Sequence, residues 1–247
     1  MRSLLAAVAF LTRFPIGRLS SWDAPAVSRS AAWFPLVGLL LGGLYAGAAR
    51  LLLGHLPLMA IAVLLVILDA GATGALHLDG LADSADGFGG GETPDDVLRI
   101  MRDHAIGAYG GIALATLVAL KTAAYAALLG RNDWFAPLVL TPALGRWSML
   151  LLTAALPYAR PSASVIVGMN KWSLVWGTVT ILPAIAAALS ARAWIAMAAV
   201  TIVSAAFGAY CRRRIGGITG DTLGANLQLC ESASLLTFLW EVGTRAT

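Results

Sequence analysis

Charge is scarce in this sequence: 12% of its 247 residues are Asp, Glu, Lys or Arg, where an average soluble domain carries about a quarter. With 59% of the chain hydrophobic, that scarcity excludes a soluble globular protein and identifies an integral membrane one. Cysteine is nearly absent too. Cys211 and Cys230 have neither a disulfide-scaffold context nor metal-site spacing, so both read as free thiols in a reducing compartment. A basic stripe is missing: the net charge is +4, but the arginines are scattered between apolar runs. That excludes nucleic acid as a partner and fits positive-inside topology in membrane lipid. No cleavable signal opens the chain, since its first apolar run is short and broken by Arg13 and Pro15, and no internal repeat is evident.

What is present is a series of apolar runs long enough for helices that cross a bilayer, which takes about 20 residues each. Spans are expected at Ala31–Leu53, Leu58–Leu76, Ala108–Leu129, Trp134–Leu156, Trp172–Leu189 and Ala193–Tyr210. The stretch from Gly220 to Val242 is apolar enough for a seventh but carries Gln228 and Glu231. The expectation is therefore an all-α, polytopic membrane helix bundle of six or seven transmembrane helices, one integral membrane domain over residues 1–247. Residues 1–30, too short an apolar run to span, are expected to form an interfacial segment.

Between the second and third runs lies His77-Leu78-Asp79-Gly80-Leu81-Ala82-Asp83-Ser84-Ala85-Asp86-Gly87, followed by Gly89, Gly90 and Gly91. At about 100° per residue, steps of four and then three keep Asp79, Asp83 and Asp86 on one narrow helical face. Such a face repels itself and calls for a cation. Oxygen-only ligands favour a hard ion such as Mg²⁺, which takes one or two carboxylates together with substrate phosphates. Gly87, Gly89 and Gly90 would let backbone N–H groups approach that anion.

Two further polar clusters stand beside apolar runs. Thr93-Pro94-Asp95-Asp96 has the marks of a helix start, so Glu92, Asp95 and Asp96 read as helix-start charges. The helix leads to Arg102-Asp103 and Ile106-Gly107-Ala108-Tyr109-Gly110, with Arg102 placed to hold a phosphate and Asp103 a metal or a hydroxyl. The third cluster is Gly216-Gly217-Ile218-Thr219-Gly220-Asp221-Thr222. Gly220 and Asp221 can open a helix whose N–H groups face an anion, with Asp221 near a metal. Inside the spans, Asp69 either supports the site or is a hydrogen-bonded structural group, and Arg146 is either in an ion pair with a partner such as Asp69 or a substrate-phosphate ligand. Lys121 and His55 belong to no constellation. Counting basic residues puts the segments 77–107 and 211–226 on the cytoplasmic side as active-site loops.

Taken together, the three motifs resemble cobalamin synthase, the adenosylcobinamide-GDP ribazoletransferase family, over nearly the whole chain. One departure is His104-Ala105, where many members have Ser-Arg, so that Arg102 serves alone there. The resemblance implies a Mg²⁺-dependent enzyme of the bacterial inner membrane that joins adenosylcobinamide-GDP to α-ribazole, or its 5′-phosphate, and releases GMP. Asp79, Asp83, Asp86 and Asp221 would hold the metal, and a ribose hydroxyl of ribazole, the 3′-OH on the resemblance, would attack the phosphorus nearer the corrinoid. The group that takes the hydroxyl proton is left among His77, Asp86, Asp103 and Asp221. The alternative is a CDP-alcohol phosphatidyltransferase-like or prenyltransferase-like membrane enzyme; a divalent-cation transporter fits less well, because transport sites lie near the bilayer midplane. Cysteines introduced near Gly89 and near Gly217 should be labelled from the same side of sealed vesicles, and a split result would separate the clusters.

Overall fold

The computed structural model describes residues 2–15, 29–103, 105–160 and 171–240. His104, residues 16–28, most of the connection expected at 157–171 and Val242 lie outside the described residues. The chain is helical, with α1 (Arg2–Leu11), α2 (Phe34–Leu52, entered through the 3-10 turn Ala31–Trp33), α3 (Leu58–Thr73), α4 (Leu76–Gly90) and α5 (Pro94–Ile100) in its first part. Then follow α6 (Ala108–Leu129), α7 (Phe135–Ala155), α8 (Lys171–Ala187), α9 (Ala191–Ile215) and α10 (Gly220–Leu239).

The all-α membrane bundle stands, but the count of six or seven spans is corrected. Among the described residues, four helical stretches are long and apolar enough to cross a membrane: Ala31–Leu52, Ala108–Leu129, Phe135–Ala155 and Ala191–Ile215. A fifth is reached only if α3 and α4, bent by 91° at their junction, are taken as one broken span. The expected span Leu58–Leu76 stops early because Gly74 and Ala75 both have positive φ, 64° and 58°. Two left-handed residues in succession end α3 and start α4 in a new direction, and Ala75 holds that conformation at a cost of about 1–2 kcal/mol. The expected fifth span is the 17-residue α8, shorter than the ~20 residues a spanning helix needs. The expected seventh, α10, is enclosed by its neighbours, with 13 of its 20 residues buried.

Within the segment 77–107, α4 and α5 form where the aspartate spacing and the Thr93-Pro94 start placed helix. The start of α5 follows its sequence signature: Thr93 Oγ accepts from Asp96 N, with Pro94 in the first turn. In the 211–226 stretch, α9 runs to Ile215 and α10 begins at Gly220. α1 buries Ala6, Ala7, Val8 and Leu11 and packs on α2.

Helices α7 and α10 form the centre. α2 lies along α7 through Gly38 and Gly42, where a side chain would strike the backbone of Val139, Pro142 or Ala143, the small-residue contact by which helices approach closely in lipid. The α7–α10 seam is polar. Thr141 Oγ lies 3.3 Å from Ser234 Oγ, and Asn226 donates to Ser148 Oγ at 2.9 Å.

Between these contacts sits a buried group of charges. Glu231 on α10 accepts from Arg146 Nη1 on α7 at 2.9 Å and from Lys121 Nζ on α6. Lys121 also donates to Asp69 on α3 at 3.2 Å, and Tyr45 on α2 donates to the other oxygen of Asp69 at 2.7 Å. Arg146 is 0% exposed and Lys121 2%. Lys121, read from sequence as belonging to no constellation, is therefore the bridge of this one. The suggested Asp69–Arg146 pair is also corrected, as each has a different partner. Five helices are joined by groups whose charges cancel, the arrangement that makes ionised side chains tolerable at depth.

Removing one partner should be costly. Glu231→Gln leaves two buried cations short of charge and is expected to lower stability by about 3–5 kcal/mol in denaturant unfolding. Asp133→Ala removes exposed pairs with Arg131 and Arg192 at the other end of α6 and should cost less than about 1 kcal/mol; equal losses would contradict the buried assignment.

Candidate active site

The approach of α4 to α10 builds the site. At Gly80 a Cβ would come within 2.7 Å of the Asp221 carbonyl oxygen, and at Gly224 within 3.2 Å of the His77 Cα. With no side chain between them the two backbones touch, and Asp221, in the first turn of α10, comes beside the carboxylates of α4. The helical face expected for Asp79, Asp83 and Asp86 exists, since all three lie on α4. Asp79 is exposed and Asp83, Asp86 and Asp221 are partly buried.

Asp83 feels this crowding most. Its carboxyl is pushed up from 3.8 to about 6, first by burial and then by the negative charges of Asp79, Asp221 and Asp86. Burial also raises Asp221, against the opposing pull of Arg160. Arg160 donates to Asp221 Oδ2 at 2.7 Å. It is carried there by a short parallel bridge between Tyr158 and Ile218, in which Ala159 N donates to Ile218 O at 2.8 Å. Nothing in the sequence pattern marked Arg160, because its partner is 61 positions away.

Asp86 has a second engagement. Its two oxygens accept from Gly107 N at 2.7 Å and from Gly110 N at 2.9 Å, the free N–H groups at the start of α6. A Cβ at either glycine would collide with that carboxylate, so Gly107 and Gly110 make room for Asp86. Arg214, counted from sequence only among the basic residues, secures the far end of α4. It donates to Phe88 O at 3.1 Å and Gly91 O at 2.8 Å and lies 5.7 Å from the ring centres of Phe88 and Tyr210.

The other residues singled out from sequence are distributed as follows. Gly87, Gly89 and Gly90 are in the last turn of α4, with Gly87 against Met101 and Gly89 against the Tyr109 ring. Gly220 is the first residue of α10, behind a Thr219 N-cap. Arg102 and Asp103 are exposed just beyond α5, where Asp103 accepts from Ala105 N at 3.1 Å. His77 and Arg146 are buried; among the described residues, His77 Nε2 and Arg146 Nε and Nη2 have no hydrogen-bond partner.

Among the described residues, no three His, Cys, Asp or Glu side chains already converge as a metal cage. The donor set is nonetheless all oxygen and strongly acidic, which fits a cation that takes one or two carboxylates and fills its remaining positions from water and substrate phosphate.

The sequence that builds this site belongs to a known family. Residues 3–239 match the family model described as CobS, cobalamin-5-phosphate synthase. The chain is a member of the CobS family. Proteins named adenosylcobinamide-GDP ribazoletransferase resemble it from end to end. That of Syntrophobacter fumaroxidans is 38% identical over 233 residues, covering 91% of this chain and 93% of its own. That of Pseudomonas aeruginosa is 39% identical over 241 residues, covering 96% and 97%, and that of Desulfitobacterium hafniense 33% over 258 residues, covering 96% of both. No solved structure matches. In this CobS member the first motif forms α4, the second the seat of Asp86, and the third the turn into α10.

A pH effect follows from Asp83. Its folded value lies above the unfolded one, so its contribution to stability is greatest below about pH 4 and is lost as pH rises towards about 6. In metal-free detergent solution the unfolding temperature should fall across that window, and Asp83→Asn should flatten the fall; an unchanged profile would show that Asp83 is not the group concerned.

Proposed function

We propose that this chain is an adenosylcobinamide-GDP ribazoletransferase of the bacterial inner membrane. It joins the GDP-activated corrinoid to α-ribazole or its 5′-phosphate, releases GMP, and works with its carboxylate face on the cytoplasmic side. Membership of the CobS family and the relatives' shared name support the reaction, and set aside the phosphatidyltransferase-like, prenyltransferase-like and transporter alternatives. The observation that carries the site is the mutual crowding of Asp79, Asp83, Asp86 and Asp221, opposed by Arg160.

Asp79, Asp83 and Asp221 would hold Mg²⁺, with Asp86 sharing its charge between the site and the start of α6. When bound, the ion neutralises charge on the pyrophosphate and on departing GMP. Arg160, held beside Asp221, would offer its remaining planar donors to a phosphate oxygen. Arg102, exposed just beyond α5, is our candidate for a second cation toward the substrate. Among the four groups eligible to receive the hydroxyl proton, His77 is enclosed and Asp86 is engaged with two backbone N–H groups, which leaves Asp103 and Asp221. We assign the role to Asp221, the one partly buried between α4 and Arg160. Arg146 we assign to the scaffold, because Glu231 already satisfies its charge.

Incubation of detergent-purified protein with Mg²⁺, adenosylcobinamide-GDP and α-ribazole should release GMP and form the joined corrinoid. Asp79→Asn, Asp83→Asn and Asp221→Asn should each lower turnover by about a hundredfold or more, while Glu92→Gln and Asp95→Asn, at the start of α5, stay within about twofold of the parent. Normal turnover by the three asparagine variants would place the metal elsewhere.

A further inference from the structure

Away from the carboxylates, helices α7, α8 and α9 line an open cavity of about 680 Å³. Its wall includes Leu152, Leu156 and Gly208, and Gly208 lets α9 pack closely on the Leu152 side chain, which a Cβ there would approach to 2.7 Å. The hydroxyls on the wall are already committed, Thr201 donating to Met197 O at 2.8 Å and Ser204 to Ser148 O at 3.4 Å. No polar group remains to bind a sugar or a base, so the occupant of its depth must be hydrocarbon.

The mouth is different. Lys171 opens α8 and Arg212 lies in the last turn of α9, and among the described residues they are the only charged ones lining the cavity. Both are exposed, and among the described residues neither has a carboxylate partner. Lys171 Nζ stands 6.0 Å from the ring centre of Trp172, which is 62% exposed; tryptophan beside lysine is the usual side-chain signature of the headgroup level. On the same helices, Trp176 and Ile202 are exposed, as surfaces in contact with lipid are.

We propose that this cavity binds one anionic phospholipid, an acyl chain lying along the α7–α9 wall and the phosphate held by Lys171 and Arg212. Two unopposed cations beside hydrocarbon select an acidic headgroup over a zwitterionic one, whose own ammonium offsets the attraction. The site shares no residue with the carboxylate face and does not depend on the reaction assigned to it.

The test is competition between phosphatidylglycerol and phosphatidylcholine of identical chains, added in equal amounts to the detergent-purified full chain, with retained lipid counted by native mass spectrometry. One phosphatidylglycerol should be retained with a preference on the order of tenfold. Lys171→Glu combined with Arg212→Glu should abolish the preference, whereas Arg213→Glu, outside the cavity, should keep it. Ala205→Trp, which fills the cavity and leaves both cations, should reduce retention of both lipids. Each variant is compared at matched monodispersity and unfolding temperature; if the double reversal aggregates, Lys171→Gln with Arg212→Gln must show the same loss. Equal retention of the two lipids by the parent, or a preference that survives loss of both cations, would overturn the proposal, as would parental lipid retention by Ala205→Trp.

Discussion

The contact between Gly80 and the backbone of Asp221 is the constraint on which the site depends. Two helices that meet at a glycine can bring their backbones together without a layer of side chains. Here that closeness brings a carboxylate of α10 within electrostatic reach of those on α4. Any larger residue at Gly80 would separate them, and the positive charge the crowding calls for would lose part of its cause. Arg160 at one side and Arg214 at the far end of α4 then hold the arrangement in place before any ligand arrives.

Helix α10 has to present Asp221 at its start while carrying Glu231 through the apolar core. It does so because Arg146 and Lys121 supply charge of opposite sign and because α7 offers hydroxyls on the facing side. An isolated carboxylate there would cost several kcal/mol. The buried charges and the carboxylates of the site are thus two ends of one construction: the first fixes the depth and rotation of α10, the second uses them.

Local signals carried much of this from the sequence. The apolar runs located most helices, the four-then-three spacing put three aspartates on one face, and Thr93-Pro94 and Gly220-Asp221 marked helix starts that the structure confirms. What escaped was set by distance along the chain or by tertiary context. Lys121 looked idle because its partner Glu231 is 110 positions away, and Arg160 because Asp221 is 61 away. The break after Thr73 was missed because Ala75 is a good helix former whose left-handed conformation is imposed by surrounding structure. Counting spans by hydropathy failed at α10 for a related reason, since most of its surface is spent on neighbouring helices, where polar side chains find partners.

The balance of the buried charges matters in an energised membrane. Moving one elementary charge across a full potential of 100 mV involves about 2.3 kcal/mol, and Asp69, Lys121, Arg146 and Glu231 together carry two charges of each sign. Their sum is zero, so a transmembrane voltage exerts no net pull on the cluster and can act only on the small separations within it. The buried cluster is therefore electrically quiet as a unit, whether the membrane is polarised or not.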